Sequence, residues 1–281
     1  MSTPAPNATW KILAAIDLAS PNPSASVEHA LNLARALKGE ATLVSVVDRR
    51  QYERGLRHCW PPNAYGSAHR DVDIHRIVLP GSPPEALSAY ADQIRADLLV
   101  VDAGYSARRW LRNRPVAASV AALTSRAVWI TPGATNIWTS EDGPRIACLL
   151  RLDETDKRTC CVGQAVAERC GGELYLVHRE RACEGAGKVT AADPADWTGH
   201  IGRSLGVRWR PLPLGGRQQE ALTTAVKRHR IRLVIAGRPM FVTPSARSGD
   251  LLLAASRLSC PLLSLPYSSA STRASVLSAT A

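Results

Sequence analysis

The chain has 281 residues, 45% hydrophobic and 21% charged, with 35 Lys and Arg against 24 Asp and Glu for a formal charge of +11. That apolar content, arranged in recurring short runs, excludes disorder for the bulk of the chain, and the length suits about two domains. A membrane span is excluded as well, because Leu98–Val101 and Leu251–Ala255 meet polar residues long before the roughly 20 apolar residues a spanning helix needs.

Met1 to Trp10 lacks a basic segment, and the apolar run Ile12–Ile16 is cut by Asp17, so no secretory signal is expected and the cytoplasm is the expected location. From there, short β-branched runs alternate with helix-length segments. The predicted strands are Ile12–Ile16, Thr42–Val47, Ile74–Leu79, Leu98–Val101 and Val128–Thr131, then Ile146–Leu150, Leu174–Val177, Val207–Trp209, Leu233–Ile235 and Leu262–Leu265. Runs of this kind separated by helices read as the parallel strands of βαβ units. The order completes one α/β domain and then repeats it.

Residue-by-residue matching supports a duplication. Gly81-Ser-Pro-Pro-Glu85-Ala86-Leu87 lies opposite Gly216-Arg-Gln-Gln-Glu220-Ala221-Leu222, and Leu98-Leu-Val100 falls opposite Leu233-Val-Ile235, both at an offset of 135. Lys11–Ile16 matches Arg145–Leu150 at 134, and Gly39-Glu40 matches Gly172-Glu173 at 133. Domains are therefore expected over 10–132 and 144–266, with a linker at 133–143 rich in Gly, Pro, Thr and Ser and a flexible tail at 267–281. Leu87, Tyr90, Ala91 and Ile94 follow helical spacing and predict a stripe that packs on a sheet. Leu222, Ala225, Val226 and His229 repeat it, with His229 in the place of Ile94 as a boundary histidine rather than a ligand.

The seven cysteines, Cys59, Cys148, Cys160, Cys161, Cys170, Cys183 and Cys260, are odd in number and form neither a Cys-x-x-Cys pair nor a finger-like spacing. No disulfide framework is expected, and adjacent Cys160 and Cys161 read as helix residues near a strand rather than a redox pair. The histidines form no local ligand pattern, and His58-Cys59 with His69 reads as a polar loop, so no metal is expected. Basic residues cluster at Arg108, Arg109, Arg112 and Arg114 around Trp110, and again at Lys227, Arg228, Arg230 and Arg232. The first cluster is a candidate anion-binding segment, although solvated helix faces look alike in sequence and are commoner.

Three segments in order, the strand Lys11-Ile-Leu-Ala-Ala-Ile-Asp17, the turn and helix Gly-x-Pro-x-x-x-Leu at Gly81–Leu87, and Ala96-Asp-Leu-Leu-Val-Val101, resemble the universal stress protein family. The doubling resembles its tandem members. The resemblance covers residues 10–132 and 144–266 and implies two Rossmann-like, adenine-nucleotide alpha-hydrolase-like domains with five-stranded parallel sheets, joined as an intramolecular pseudo-dimer. In nucleotide-binding members an Asp ending the first strand contacts adenine, and a loop after the fourth strand reads Gly-x2-Gly-x9-Gly-Ser/Thr. Asp17 matches the first element. In the first loop, Asp102 and Tyr105 fall at the two leading glycines and Pro115 at the third, and using Gly104 instead leaves Ala107 and Ala117. Asp102 brings negative charge toward a phosphate, and Pro115 lacks a donor. In the second half Gly237 fits the leading glycine, Met240 replaces the second, Gly249-Asp250 arrives one residue early, and Arg151 stands opposite Asp17.

The candidate nucleotide-binding residues are accordingly Asp17, Gly237 and Gly249, with no complete ATP site in either half and no resident cofactor expected. The implied function is a non-enzymatic stress-response protein acting through a ligand or protein partner, associated through the family with resistance to DNA-damaging or oxidative stress. The other reading is an adenine-nucleotide-binding switch or weak ATPase. The chain carries no Walker-type Gly-x4-Gly-Lys-Ser/Thr segment, no Gly-x-Ser-x-Gly elbow and no His-Glu-x-x-His helix. Homodimerisation, a stress-related protein partner and non-specific polyanion contact complete the expected partners.

Overall fold

The computed structural model describes residues 9–17, 25–53, 71–103, 116–132, 143–151, 156–179, 206–215, 218–238 and 258–266. The chain divides into two compact units between residues 136 and 137. In the first unit the elements run β1 (Lys11–Ile16), α1 (Ala25–Leu37), β2 (Glu40–Val47), α2 (Arg49–Glu53), β3 (Asp73–Pro80), α3 (Pro83–Gln93), β4 (Leu98–Asp102), α4 (Val116–Leu123) and β5 (Ala127–Thr131). The second holds β6 (Arg145–Leu150), α5 (Asp156–Cys170), β7 (Glu173–Arg179), β8 (Trp209–Leu214), α6 (Gln218–Arg228), β9 (Ile231–Gly237) and β10 (Leu262–Leu265).

Within the first unit the strand order is β3-β2-β1-β4-β5, and within the second β8-β7-β6-β9-β10, the same topology entered twice. The pairings inside each unit are parallel. The correspondence extends to register. Lys11 lies beside Glu40 as Arg145 lies beside Glu173, and Ile12 beside Leu98 as Ile146 beside Leu233. Helices α3 and α6 begin and end 135 residues apart, so Glu85 and Glu220 are each the third residue of an equivalent helix.

Why the inner strands read as unbroken apolar runs follows from burial on both faces, whereas β3 and β8, at the outer positions of their units' orders, are largely exposed or half-buried. Ile12, Leu13, Ala14, Ala15 and Ile16 are all 1% exposed or less, as are Leu99, Val100 and Val101. Helix α1 packs on β1, β2, β4 and β5, and α5 on β6, β7 and β9. Of the predicted stripe, Leu87 and Ala91 are buried and Tyr90 and Ile94 half-buried; Leu222, Ala225 and Val226 are buried, and His229 sits half-buried beside the Tyr175 ring.

The repeated Gly-Glu pair has a steric cause. At the end of α1, Lys38 turns left-handed at φ 52 and the Gly39 N–H returns to the Ala34 carbonyl at 2.7 Å; Gly171 and Gly172 do the same for α5, closing on Ala167 at 2.8 Å. Each turn then runs against the start of its unit, where a Cβ on Gly39 would stand 2.5 Å from the Trp10 carbonyl oxygen and one on Gly172 2.3 Å from that of Pro144. No side chain fits either place.

One strand differs from expectation. The structure places it at Trp209–Leu214 rather than Val207–Trp209, carrying Pro211 and Pro213 inside it. Two prolines two residues apart lose N–H groups on the same side, and β8 is the outer strand of its unit's order, next only to β7, so that side has no partner to serve. The linker over 133–142, the tail at 267–281, and the segments bearing Arg108, Arg109, Arg112 and Arg114 lie outside the described residues.

Candidate functional site

Because the strands of each unit run parallel, their carboxyl ends share one edge, and the order reverses between β1 and β4 and again between β6 and β9. Open α/β sheets bind ligands in the crevice at such a reversal, where the two neighbouring loops diverge. In the first unit that position is acidic. Asp17 follows β1 and is half-buried, and Asp102 ends β4, half-buried, two residues beyond the last β1–β4 pair, Ala14–Val100. Next to Asp102 in register is Thr131, whose fully buried hydroxyl has no hydrogen-bond partner among the described residues.

The second unit reverses the charge. Exposed Arg151 stands after β6 in the place of Asp17, and Gly237 ends β9 in the place of Asp102, followed by Arg238, which is only 8% exposed. Register sets Gly237 beside Leu265, the last pair of β9 and β10, and the carbonyl of the following Pro266 accepts from the Arg158 Nη1 at 3.1 Å. Partial burial lowers the Arg158 pKa by desolvating the charged form. A third strand contributes His178, 7% exposed, near the end of β7. Asp156 opens α5 fully inside and accepts the Arg151 backbone N–H at 2.8 Å, tying the end of β6 to the helix start. Among the described residues the first crevice carries two carboxylates, and the second carries Arg151, Arg158 and Arg238 beside the buried Asp156.

Of the residues singled out from sequence, Asp17 and Gly237 therefore stand at the reversal points of their units. Gly249, Tyr105, Pro115, Met240, Asp250, His58, Cys59, His69 and Cys183 fall outside the described residues, as do the four arginines around Trp110. Arg158, Asp156, His178 and Arg238 were not anticipated. For Arg238 a signal existed: it directly follows Gly237, which aligns with Asp102 at the repeat offset of 135.

The thiols resolve into two kinds. Cys148 on β6 and Cys160 on α5 are buried, as is Cys260, whereas Cys161 is exposed. Burial pushes Cys160 and Cys260 up to about 12 and Cys170 up to about 11, and drives Cys148 well above the thiol range, the neighbouring Asp156 and cysteines adding to the effect at Cys148 and Cys160. Thiolate is the nucleophile, so at pH 8 iodoacetamide should label Cys161 and leave Cys148, Cys160 and Cys260 unmodified until the protein is denatured. Peptide mass spectrometry checks this; equal labelling of Cys160 and Cys161 would refute it. With folded-state values raised above the unfolded thiol value of 9.0, the neutral thiols favour the fold fully below pH 9, and that contribution is lost as pH rises toward 12.

At the level of sequence, no family model and no curated protein matches the chain. Structure is more informative. A universal stress protein from Archaeoglobus fulgidus is similar over 93% of this chain and 97% of its own, with a TM-score of 0.67 at 14% identity. A functionally unknown protein from Pseudomonas aeruginosa is similar over 97% of this chain and 96% of its own, with a TM-score of 0.62 at 12% identity. The class is thereby defined: an α/β protein with two parallel five-stranded sheet units. The particular fold is that of the universal stress proteins, spanning nearly the whole chain. Among the described residues, no helix is long and apolar enough to cross a membrane.

Proposed function

We propose that this chain is a non-enzymatic, cytoplasmic stress-response protein of the tandem universal stress protein type, working by holding a ligand or a protein partner, in resistance to DNA-damaging or oxidative stress. The observation that carries the reading is the divergence of two equivalent crevices, Asp17 and Asp102 in one unit against Arg151, Gly237 and Arg238 in the other. Phosphoryl chemistry needs Mg²⁺ ligands and phosphate-cradling amides in one site. Here Asp17 and Asp102 stand in one unit, while Arg151, Arg158 and Arg238 stand in the other beside a single buried carboxylate, Asp156, a difference that suits binding. The +11 charge favours anionic partners in general, and the segment with Arg108, Arg109, Arg112 and Arg114 supplies a candidate for non-specific polyanion contact.

The second reading is an adenine-nucleotide switch or weak ATPase, favoured by the position of Asp17 at a sheet reversal. Titration calorimetry with ATP and Mg²⁺ separates the two. The expected result is a dissociation constant weaker than about 100 μM and no hydrolysis, whereas stoichiometric binding near or below about 1 μM, worth roughly 8 kcal/mol, would establish the nucleotide reading.

A further inference from the structure

At the opposite, amino-terminal edge of the first unit's sheet, three side chains with metal-binding chemistry converge. Glu40 opens β2 and Asp73 opens β3, directly paired in register, while His75 lies two residues along β3 on the same face. One ligand atom from each of the three falls within 4.8 Å of the others, and the His75 Nε2 stands 3.5 Å from the Asp73 Oδ2. Bonds of about 2.0–2.1 Å to zinc in tetrahedral geometry set ligand atoms roughly 3.3 Å apart, so this pair already stands close to the edge of a coordination tetrahedron. Asp73 and His75 are exposed and Glu40 half-buried, which leaves room for water as a fourth ligand.

The duplication provides an internal control. In the second unit the equivalent corner carries Glu173, and beside it Arg208 and Arg210 occupy the positions of Asp73 and His75. There the carboxylate is neutralised within the protein: the Arg210 Nε donates to Glu173 at 2.5 Å and the Tyr175 hydroxyl at 3.2 Å. The first unit keeps the carboxylate but replaces both arginines, one by a second carboxylate and one by imidazole. What remains is Lys11, 4.0 Å from Glu40 and no closer. A corner that is cationic in one copy has become anionic in the other, within a chain of net charge +11, and the residues that changed are ligand types.

The geometry points to a divalent transition-metal site formed by Glu40, Asp73 and His75. Its two-oxygen, one-nitrogen donor set suits zinc and similar borderline ions. The ion would bridge β2 to the outer strand β3, in place of the Arg–Glu bridge that joins β7 to β8 in the second unit. The site lies at the edge of its sheet opposite the crevice of its own unit, and it does not rest on the functional reading given above.

Zn²⁺ titrated into the full chain at pH 7.5 in chelator-free buffer tests it. The expected result is one equivalent bound with a dissociation constant of about 1–10 μM, a rise in melting temperature with Zn²⁺, and loss of both in His75→Ala. Asp73→Asn should weaken binding at least about ten-fold, and Lys11→Met, which removes the nearby cation, should tighten it by about three-fold. Because all these side chains are at the surface, circular dichroism should show the variants folded. His58→Ala should bind as the parent does. No bound equivalent, or binding unchanged in His75→Ala, would overturn the assignment; binding lost in His58→Ala alone would place the metal elsewhere.

Discussion

Gly163→Ala should destabilise the second unit by about 2 kcal/mol, and Cys148→Ala should rescue it. Gly163 lies inside α5, where an alanine would ordinarily gain about 1 kcal/mol over glycine from the lower entropy cost of the helix. Here the added Cβ would stand 2.3 Å from the Cys148 Sγ and 3.0 Å from the Leu174 Cδ1, both on fully buried side chains. Overpacking of that kind costs about 1–3 kcal/mol and outweighs the helix term when neighbours cannot retreat. The first unit shows the alternative solution. Ala30 on α1 aligns with Gly163 and Ala14 on β1 with Cys148, both buried, so the volume is divided between helix and strand differently. Cys148→Ala alone opens a small cavity, while the double variant reproduces the Ala–Ala pair, and a favourable coupling of about 2 kcal/mol is expected from the cycle. Urea unfolding of the four proteins measures it. Strict additivity, or stabilisation by Gly163→Ala alone, would show that α5 does not lie this close to β6.

The second large effect is expected at Asp156→Ala, a loss of about 3 kcal/mol, since a buried carboxylate that accepts a backbone N–H is among the stronger single hydrogen bonds and its removal strands the donor. The carboxylate also begins α5, where a negative charge contributes up to about 1 kcal/mol with the helix dipole. Asp156→Asn retains an oxygen acceptor for the Arg151 N–H and should cost less than half as much. The same bond fixes where the chain leaves β6, so amide exchange at Arg151 should accelerate in the alanine variant and much less in the asparagine one. An alanine variant within about 0.5 kcal/mol of the parent would mean that water replaces the carboxylate there.

Nine of the ten strands were legible in local pattern, most plainly those buried on both faces. A continuous apolar run such as Ile12–Ile16 has only one way to be covered in an α/β protein, by helices above and below. The exception, β8, carries two prolines, and whether proline is tolerated depends on whether a neighbouring strand needs the missing N–H. No window of sequence contains that neighbour. The repeat was legible too, and it carried real information about the crevices: aligning the halves put Arg151 opposite Asp17 before any strand was paired.

What the sequence by itself determined is the repeated order of segments, the α/β class and the placement of most strands; that Asp17 and Gly237 stand where the sheets reverse came from the strand order. Tertiary structure alone decided which distant residues meet there. Arg158 reaches the crevice through the Pro266 carbonyl, 108 residues away, and Asp156 meets the Arg151 amide only because α5 packs down on β6. Likewise Glu40 and Asp73 become neighbours through the register of β2 on β3, across 33 residues of chain, so the spacing of Asp73 and His75 alone does not reveal the third side chain. Periodicity is a property of consecutive residues and encodes the element. Proximity across a parallel sheet is set by strand register and helix packing, and those follow from the burial of the whole core.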